Sequence, residues 1–229
     1  MSRRPGERWT RFVTRIANAF GLVLLLVVGT YVLGSLVSFR GWGGVALNAL
    51  TGASATVALV SAEARPRLVR WAAGLAALGV VLALVSALNG GSVAAGIGAV
   101  IEVGLLALAA GVVLGTVLSE SRVGFRTILG AISVYVILGL LFSFVYFAVE
   151  RFQGGQFFGV KTQTGDFLFF SITTLTTTGY GNLVPAAQPG RMLSGLEMLV
   201  GQIFLVTLIA GLVSLWRPGL GVRRRESQG

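Results

Sequence analysis

Neither cysteine nor histidine occurs anywhere in the 229 residues. The first absence excludes disulfides, zinc–thiolate sites and cysteine nucleophiles. The second removes the usual general base and the usual transition-metal ligand. Charge is scarce too: 11% of residues are Asp, Glu, Lys or Arg, whereas a soluble domain carries about a quarter. Only eight of these are carboxylates, and they are scattered. That is a poor basis for a hydrolase or metalloenzyme, so neither enzymatic activity nor a cofactor is expected.

What the chain has is apolar length. It is 55% hydrophobic with a mean hydropathy of +0.85. Six apolar segments approach or exceed the roughly 20 residues that cross a bilayer as a helix: Phe20–Val37, Trp42–Ala62, Trp71–Leu88, Val93–Leu118, Ile128–Val149 and Met192–Trp216. Backbone facing lipid must satisfy its hydrogen bonds internally, so an all-α integral membrane fold is expected.

The net charge of +10 sits at the ends of these runs, with no basic patch interleaved with exposed aromatics. Nucleic acid is therefore not an expected partner; the lipid bilayer is. Of the 18 basic residues, fourteen fall on one side of the expected topology. These include Arg3, Arg4, Arg8, Arg11 and Arg15, then Arg65, Arg67 and Arg70, then Arg122 and Arg126, then Arg217 and the Arg223–Arg225 run. Arg40, Arg151, Lys161 and Arg191 fall on the other. The positive-inside rule makes both termini cytoplasmic and turns the long Glu150–Arg191 connection outward. The N-terminal run is too long, and lacks the small-residue cleavage site, for a signal peptide. Trp9, Phe12, Ile16 and Phe20 share one helical face, which suggests either an interfacial helix or a basic tail serving topology alone.

The connection between the last two spans carries the chemistry. A polar, glycine-containing stretch gives way to Phe167-Leu168-Phe169-Phe170, then to Ser171-Ile172-Thr173-Thr174-Leu175-Thr176-Thr177-Thr178-Gly179-Tyr180-Gly181-Asn182. The run from Phe167 to Thr177 is too short to span, and reads as a re-entrant helix. Stacked backbone carbonyls can replace the water around a potassium ion, and Gly179 and Gly181 tolerate the alternating backbone angles that this needs. In such a carbonyl stack Thr177 could add a hydroxyl as innermost ligand, and Tyr180 would point away from the axis and pack on aromatics such as Phe169 and Phe170. The helix aims the negative end of its dipole at the ion path, with Asp166 at the positive end.

These residues resemble the pore of potassium channels over about residues 127–216, and the whole chain is similar to bacterial six-span members of the pore-loop cation channel superfamily. The resemblance implies a homotetramer in the bacterial inner membrane, with Thr177, Thr178, Gly179, Tyr180 and Gly181 as the filter and K+ as the only metal. Residues 1–19 would be a cytoplasmic segment, 20–118 a four-helix sensor-like domain, 119–126 a linker, 127–216 the pore domain and 217–229 a cytoplasmic tail. Two positions depart from the commonest pattern: Thr178 stands where valine is usual, and Asn182 where aspartate is usual. Both bear on conductance and inactivation more than on selectivity.

Around the filter, Phe169, Phe170, Thr173, Asn182 and Glu197 are expected to support it. Glu197 lies inside the last span, where an ionisable group is costly unless paired or wetted. Hydrogen bonds to pore-helix threonines are expected, with protonation as one way to hold it there. Gly201 matches the family's hinge glycine, with close helix packing as the other reading. Gln202, Leu205 and Ile209 are expected to line the inner pore. For Glu102, a structural polar contact among the first four spans is favoured over ion binding. Val93–Leu118 contains no Arg or Lys, so steep voltage gating is not expected. Other classes stay open: a weakly selective cation channel on the same fold, a non-conducting scaffold, or a secondary transporter, whose expected internal repeats are missing.

Overall fold

A computed structural model of the chain describes residues 20–36, 42–120 and 124–215. Among these residues there are seven helices and no strand: α1 Phe20–Leu36, α2 Trp42–Ser61, α3 Pro66–Asn89, α4 Ser92–Ser119, α5 Phe125–Gln153, α6 Thr164–Leu175 and α7 Gly190–Leu215. By length and composition, α2, α3, α4, α5 and α7 can each cross a membrane. Of the expected first span the described residues form the 17-residue α1, about 26 Å of helix. Trp9, Phe12, Ile16 and residues 217–229 lie outside the described residues, as do 121–123 of the expected linker.

Several helices run past their apolar segments. Pro66 opens α3 at its first turn, where the missing N–H is no loss, and this places Arg67 and Arg70 on the helix. Arg126 and Arg151 likewise lie on α5, and Arg191 on α7. Arginine stems can lie along apolar surface while the guanidinium reaches out. That is why hydropathy alone set these boundaries too tightly. α3 ends at Gly90, whose φ of 67° is left-handed and whose N–H bonds Ser86 O at 2.9 Å.

The core is shared by α1, α2, α4 and α5. It holds Val23 and Val27; Ala55, Ala58 and Leu59; Leu105, Leu106, Ala109 and Val113; and Ala131, Val134, Ile137 and Leu140. Small residues set the approach distances. A Cβ on Gly52 would lie 2.7 Å from Ala76 Cβ, and one on Gly130 would lie 2.8 Å from Val117 Cγ2. α3 is peripheral: only Ala72 and Gly79 are buried, while Trp71 is 74% exposed and Leu75, Leu78, Val81, Val85 and Leu88 are exposed beside it.

Buried hydroxyls in this bundle mostly bond the preceding helical turn. Thr30 Oγ1 donates to Leu26 O at 2.8 Å and Ser54 Oγ to Leu50 O at 2.7 Å. Glu102 differs. It is fully buried, and neither carboxyl oxygen has a hydrogen-bonding partner among the described residues. One oxygen faces Gly79, where a Cβ would lie 3.2 Å from it and 4.0 Å from Asn48 Oδ1, itself unpartnered. Among the described residues the expected polar contact is therefore not formed, and Gly52 and Gly79 lie against the carboxyl. Replacing an unsatisfied buried polar group with an apolar one of similar length should stabilise by about 1–3 kcal/mol. Glu102→Met is expected to raise the thermal midpoint in detergent; a fall would show that the carboxyl has a partner.

Candidate functional site

The segment between α5 and α7 is built on an aromatic cluster. α5 ends at Gly154 with a left-handed φ of 66°, and the chain turns back so that Phe157 N–H donates to Glu150 Oε2 at 3.1 Å. Phe157 and Phe158 then pack with Phe142, Tyr146, Phe167 and Phe170. Tyr146 and Phe170 meet edge-to-face at 5.1 Å, as do Phe157 and Phe158 at 4.9 Å; such pairs add to simple burial. α6 starts where Asp166 Oδ2 accepts Gln163 N–H at 2.7 Å, a carboxylate at the positive end of the helix dipole. With 12 residues, α6 is about 18 Å long, and it stops inside the helical assembly.

Its end is tied down at the carbonyl of Leu175. The Tyr135 hydroxyl, from α5, donates to it at 3.1 Å. α7 approaches from the other side at Gly201, where a Cβ would lie 2.5 Å from the same oxygen and 2.8 Å from Leu175 Cδ1. Beyond this point Thr176 and Thr177 N–H still bond Ile172 O and Thr174 O, each at 3.0 Å, and Gly179 N–H reaches back to Thr173 O at 3.1 Å. Thr176 Oγ1 donates to Ile172 O at 2.7 Å and lies 2.8 Å from Thr178 Oγ1. The Thr178 hydroxyl is thus linked through Thr176 to the helix end.

Through the candidate filter, left-handed angles alternate: φ is 56° at Thr177, 54° at Gly179 and 78° at Gly181. The two glycines were legible in the sequence; Thr177 was not, because a β-branched residue disfavours that region. Residues Thr176 to Asn182 are exposed in the single chain, Tyr180 at 71%. Tyr180 stacks on Phe169 with centroids 5.8 Å apart and planes at 18°. Phe170 does not join it, and turns instead into the aromatic cluster. Thr173 uses its side chain on Phe170 O at 3.0 Å and its carbonyl on Gly179.

Glu197, fully buried on α7, does not meet threonines. Its Oε1 lies 2.5 Å from Ser171 Oγ on α6, and its Oε2 accepts from the Tyr146 hydroxyl on α5 at 2.5 Å. Ser171 Oγ also donates to Gly139 O at 2.6 Å. Gln202, Leu205 and Ile209 all occupy exposed positions of α7. The roles of Tyr135, Tyr146 and Ser171 escaped the sequence reading, and Arg191 had been read only for topology and family resemblance. A usable signal existed for the tyrosines, since a phenol within a span needs a partner. Arg191 bonds Pro185 O at 3.1 Å and Ala186 O at 3.0 Å, and so fixes the return of the chain into α7.

Residues 132–217 match a family model described as "Ion channel", a stretch that contains most of α5, all of α6 and the candidate filter, and α7. Relatives include a cyclic nucleotide-gated potassium channel of Rhizobium etli, 34% identical over 89 residues, which are 39% of this chain and 24% of that one. Another of Mesorhizobium japonicum is 29% identical over 102 residues, 44% of this chain and 27% of that one. Two pore potassium channel b of Oryza sativa subsp. japonica is 30% identical over 89 residues, 39% and 24%. The chain thus spans about a quarter of the length of the curated relatives it matches. No solved structure matches. Over this stretch the chain is thus similar to ion channels, three potassium channels among them.

The α6–α7 contact can be checked by paired substitutions. Gly201→Ala forces a methyl against Leu175 O and should lower the thermal midpoint by the equivalent of about 1–3 kcal/mol. Gly195→Ala, where a Cβ meets nothing within 4 Å among the described residues, should be neutral or stabilising by up to about 1 kcal/mol. Equal behaviour of the two variants would refute the packing role of Gly201.

Proposed function

We propose that this chain is one subunit of a potassium-selective channel, in which four copies surround an axis lined by Thr177, Thr178, Gly179, Tyr180 and Gly181. The observation that carries the reading is the alternation of left-handed φ at Thr177, Gly179 and Gly181. Alternating angles turn successive carbonyls towards one side, as replacement of an ion's hydration shell requires. The exposure of this segment in the single chain leaves it free to face an axis. Gln202, Leu205 and Ile209 line the cavity below the filter, and the permeant ion is the only ligand required. The chain lies in the bacterial inner membrane with both termini cytoplasmic, as the arginine placement favours.

Selectivity resides in the filter backbone, while Thr178 and Asn182 adjust inactivation and conductance. α4 carries no Arg or Lys, so opening does not depend steeply on voltage. Reconstituted protein is expected to pass K+ far faster than Na+, with block by barium. Gly179→Ala should abolish this, because alanine resists the left-handed angle. Equal K+ and Na+ permeability would place the chain among weakly selective cation channels; no flux under any voltage, pH or tension would make it a scaffold. Asn182→Asp should raise single-channel K+ current at low ionic strength, and the gain should fade as salt screens the added charge.

A further inference from the structure

The contacts around Glu197 need one more hydrogen than the hydroxyls supply. Ser171 Oγ sits 2.5 Å from Glu197 Oε1 and 2.6 Å from Gly139 O. A serine hydroxyl has one hydrogen, and a backbone carbonyl has none. If Ser171 pointed its hydrogen at Glu197, two oxygen lone pairs would face each other at 2.6 Å. The hydrogen therefore goes to Gly139 O, and the contact with Glu197 requires a hydrogen from the carboxyl. The Tyr146 hydroxyl, 2.5 Å from Oε2, supplies the second bond as donor.

We infer that Glu197 is present as the carboxylic acid, donating from Oε1 to Ser171 and accepting at Oε2 from Tyr146, and that it is a positioning residue locking the pore helix between α5 and α7. The role in conduction rests on the channel reading above; the donor assignment does not. Two rungs join α7 to α6 one helical turn apart: Glu197 on Ser171, and Gly201 on Leu175. The upper rung holds the helix whose last carbonyl precedes the candidate filter. A carboxylate can only accept, so after loss of the proton the single Ser171 hydrogen must give up either Glu197 or Gly139 O, and one of the ties that hold the pore helix is lost.

The groups facing this site do not offer a countercharge. From α5 they are the phenols of Tyr135 and Tyr146; Glu150 is occupied by Phe157 N–H, and Arg151 lies over the Phe147 ring at 4.6 Å. From α6 the only titratable group is Asp166, bonded to Gln163 N–H. On α7 itself Arg191 is spent on Pro185 and Ala186. No ion pair to Glu197 forms among the described residues.

Glutamine is the natural probe, because its amide offers one donor edge and one acceptor edge, as the acid does. The full chain in proteoliposomes is compared with Glu197→Ala and Glu197→Gln. Alanine strands the buried Tyr146 hydroxyl and removes the donor to Ser171, and should lower K+ flux about tenfold; glutamine should restore it to within about twofold of the original. Flux of the unaltered protein should fall as the medium turns alkaline, and that of Glu197→Gln should not. An infrared difference between the two proteins should contain the carbonyl stretch of a protonated carboxyl. Glutamine as damaging as alanine, together with no acid band in the difference, would overturn the assignment. Liposomes that stay silent with the unaltered protein would sink the channel reading instead, and the infrared band would still decide the state of Glu197.

Discussion

A helix that stops within an apolar assembly leaves carbonyls that must be bonded or enclosed, and the pore half of this chain is organised around that requirement at Leu175. One donor comes from Tyr135 on α5. The side left open is closed by the backbone of α7, which can come near only because residue 201 has no side chain. Thr176, Thr177 and Gly179 return their N–H groups to the last turn, so the chain leaves the helix without leaving its hydrogen bonds. Tyr135 in turn stacks on Phe204 with centroids 5.8 Å apart, which keeps the phenol where the carbonyl needs it.

The same logic explains why aromatics crowd the far end of α6. The connection from Gly154 to Gln163 is glycine-rich and polar apart from Phe157, Phe158 and Val160. Phe157 and Phe158 turn inward to meet Tyr146, Phe167 and Phe170, and make a small second core separate from that of the helical bundle. The start of α6 is fixed by this core and by Asp166, its end by Leu175. Between the two, Ser171 and Glu197 tie the middle.

Much of this was legible from residue order, and the failures share a cause. The apolar runs, the short helix, and the glycines at 179 and 181 follow from local rules about length and backbone freedom. The stacking of Tyr180 on Phe169 followed from spacing as well, whereas Phe170, one residue on, points to the opposite side of the helix and into the aromatic core. What could not be read was partnership across helices. Glu197 was bound to need a donor or acceptor, but threonines outnumber serine on α6, and only the packing of α7 against both α6 and α5 selects Ser171 and Tyr146. Glu102 failed in the reverse way: a polar partner was reasonable, and the packing of Gly52 and Gly79 against it supplies none. Thr177 was named as a filter residue, but its left-handed angle was not foreseen, because it opposes the preference of a β-branched side chain.

α3 touches the rest of the bundle along a narrow stripe of small residues, Ala72, Ala76 and Gly79, spaced by four and three. The opposite face, from Trp71 to Leu88, is exposed among the described residues. Sequence drift in this helix is therefore sharply divided. Exchanges among its outward Leu and Val residues swap one oily surface for another, while any added carbon along the stripe pushes the whole helix off its seat.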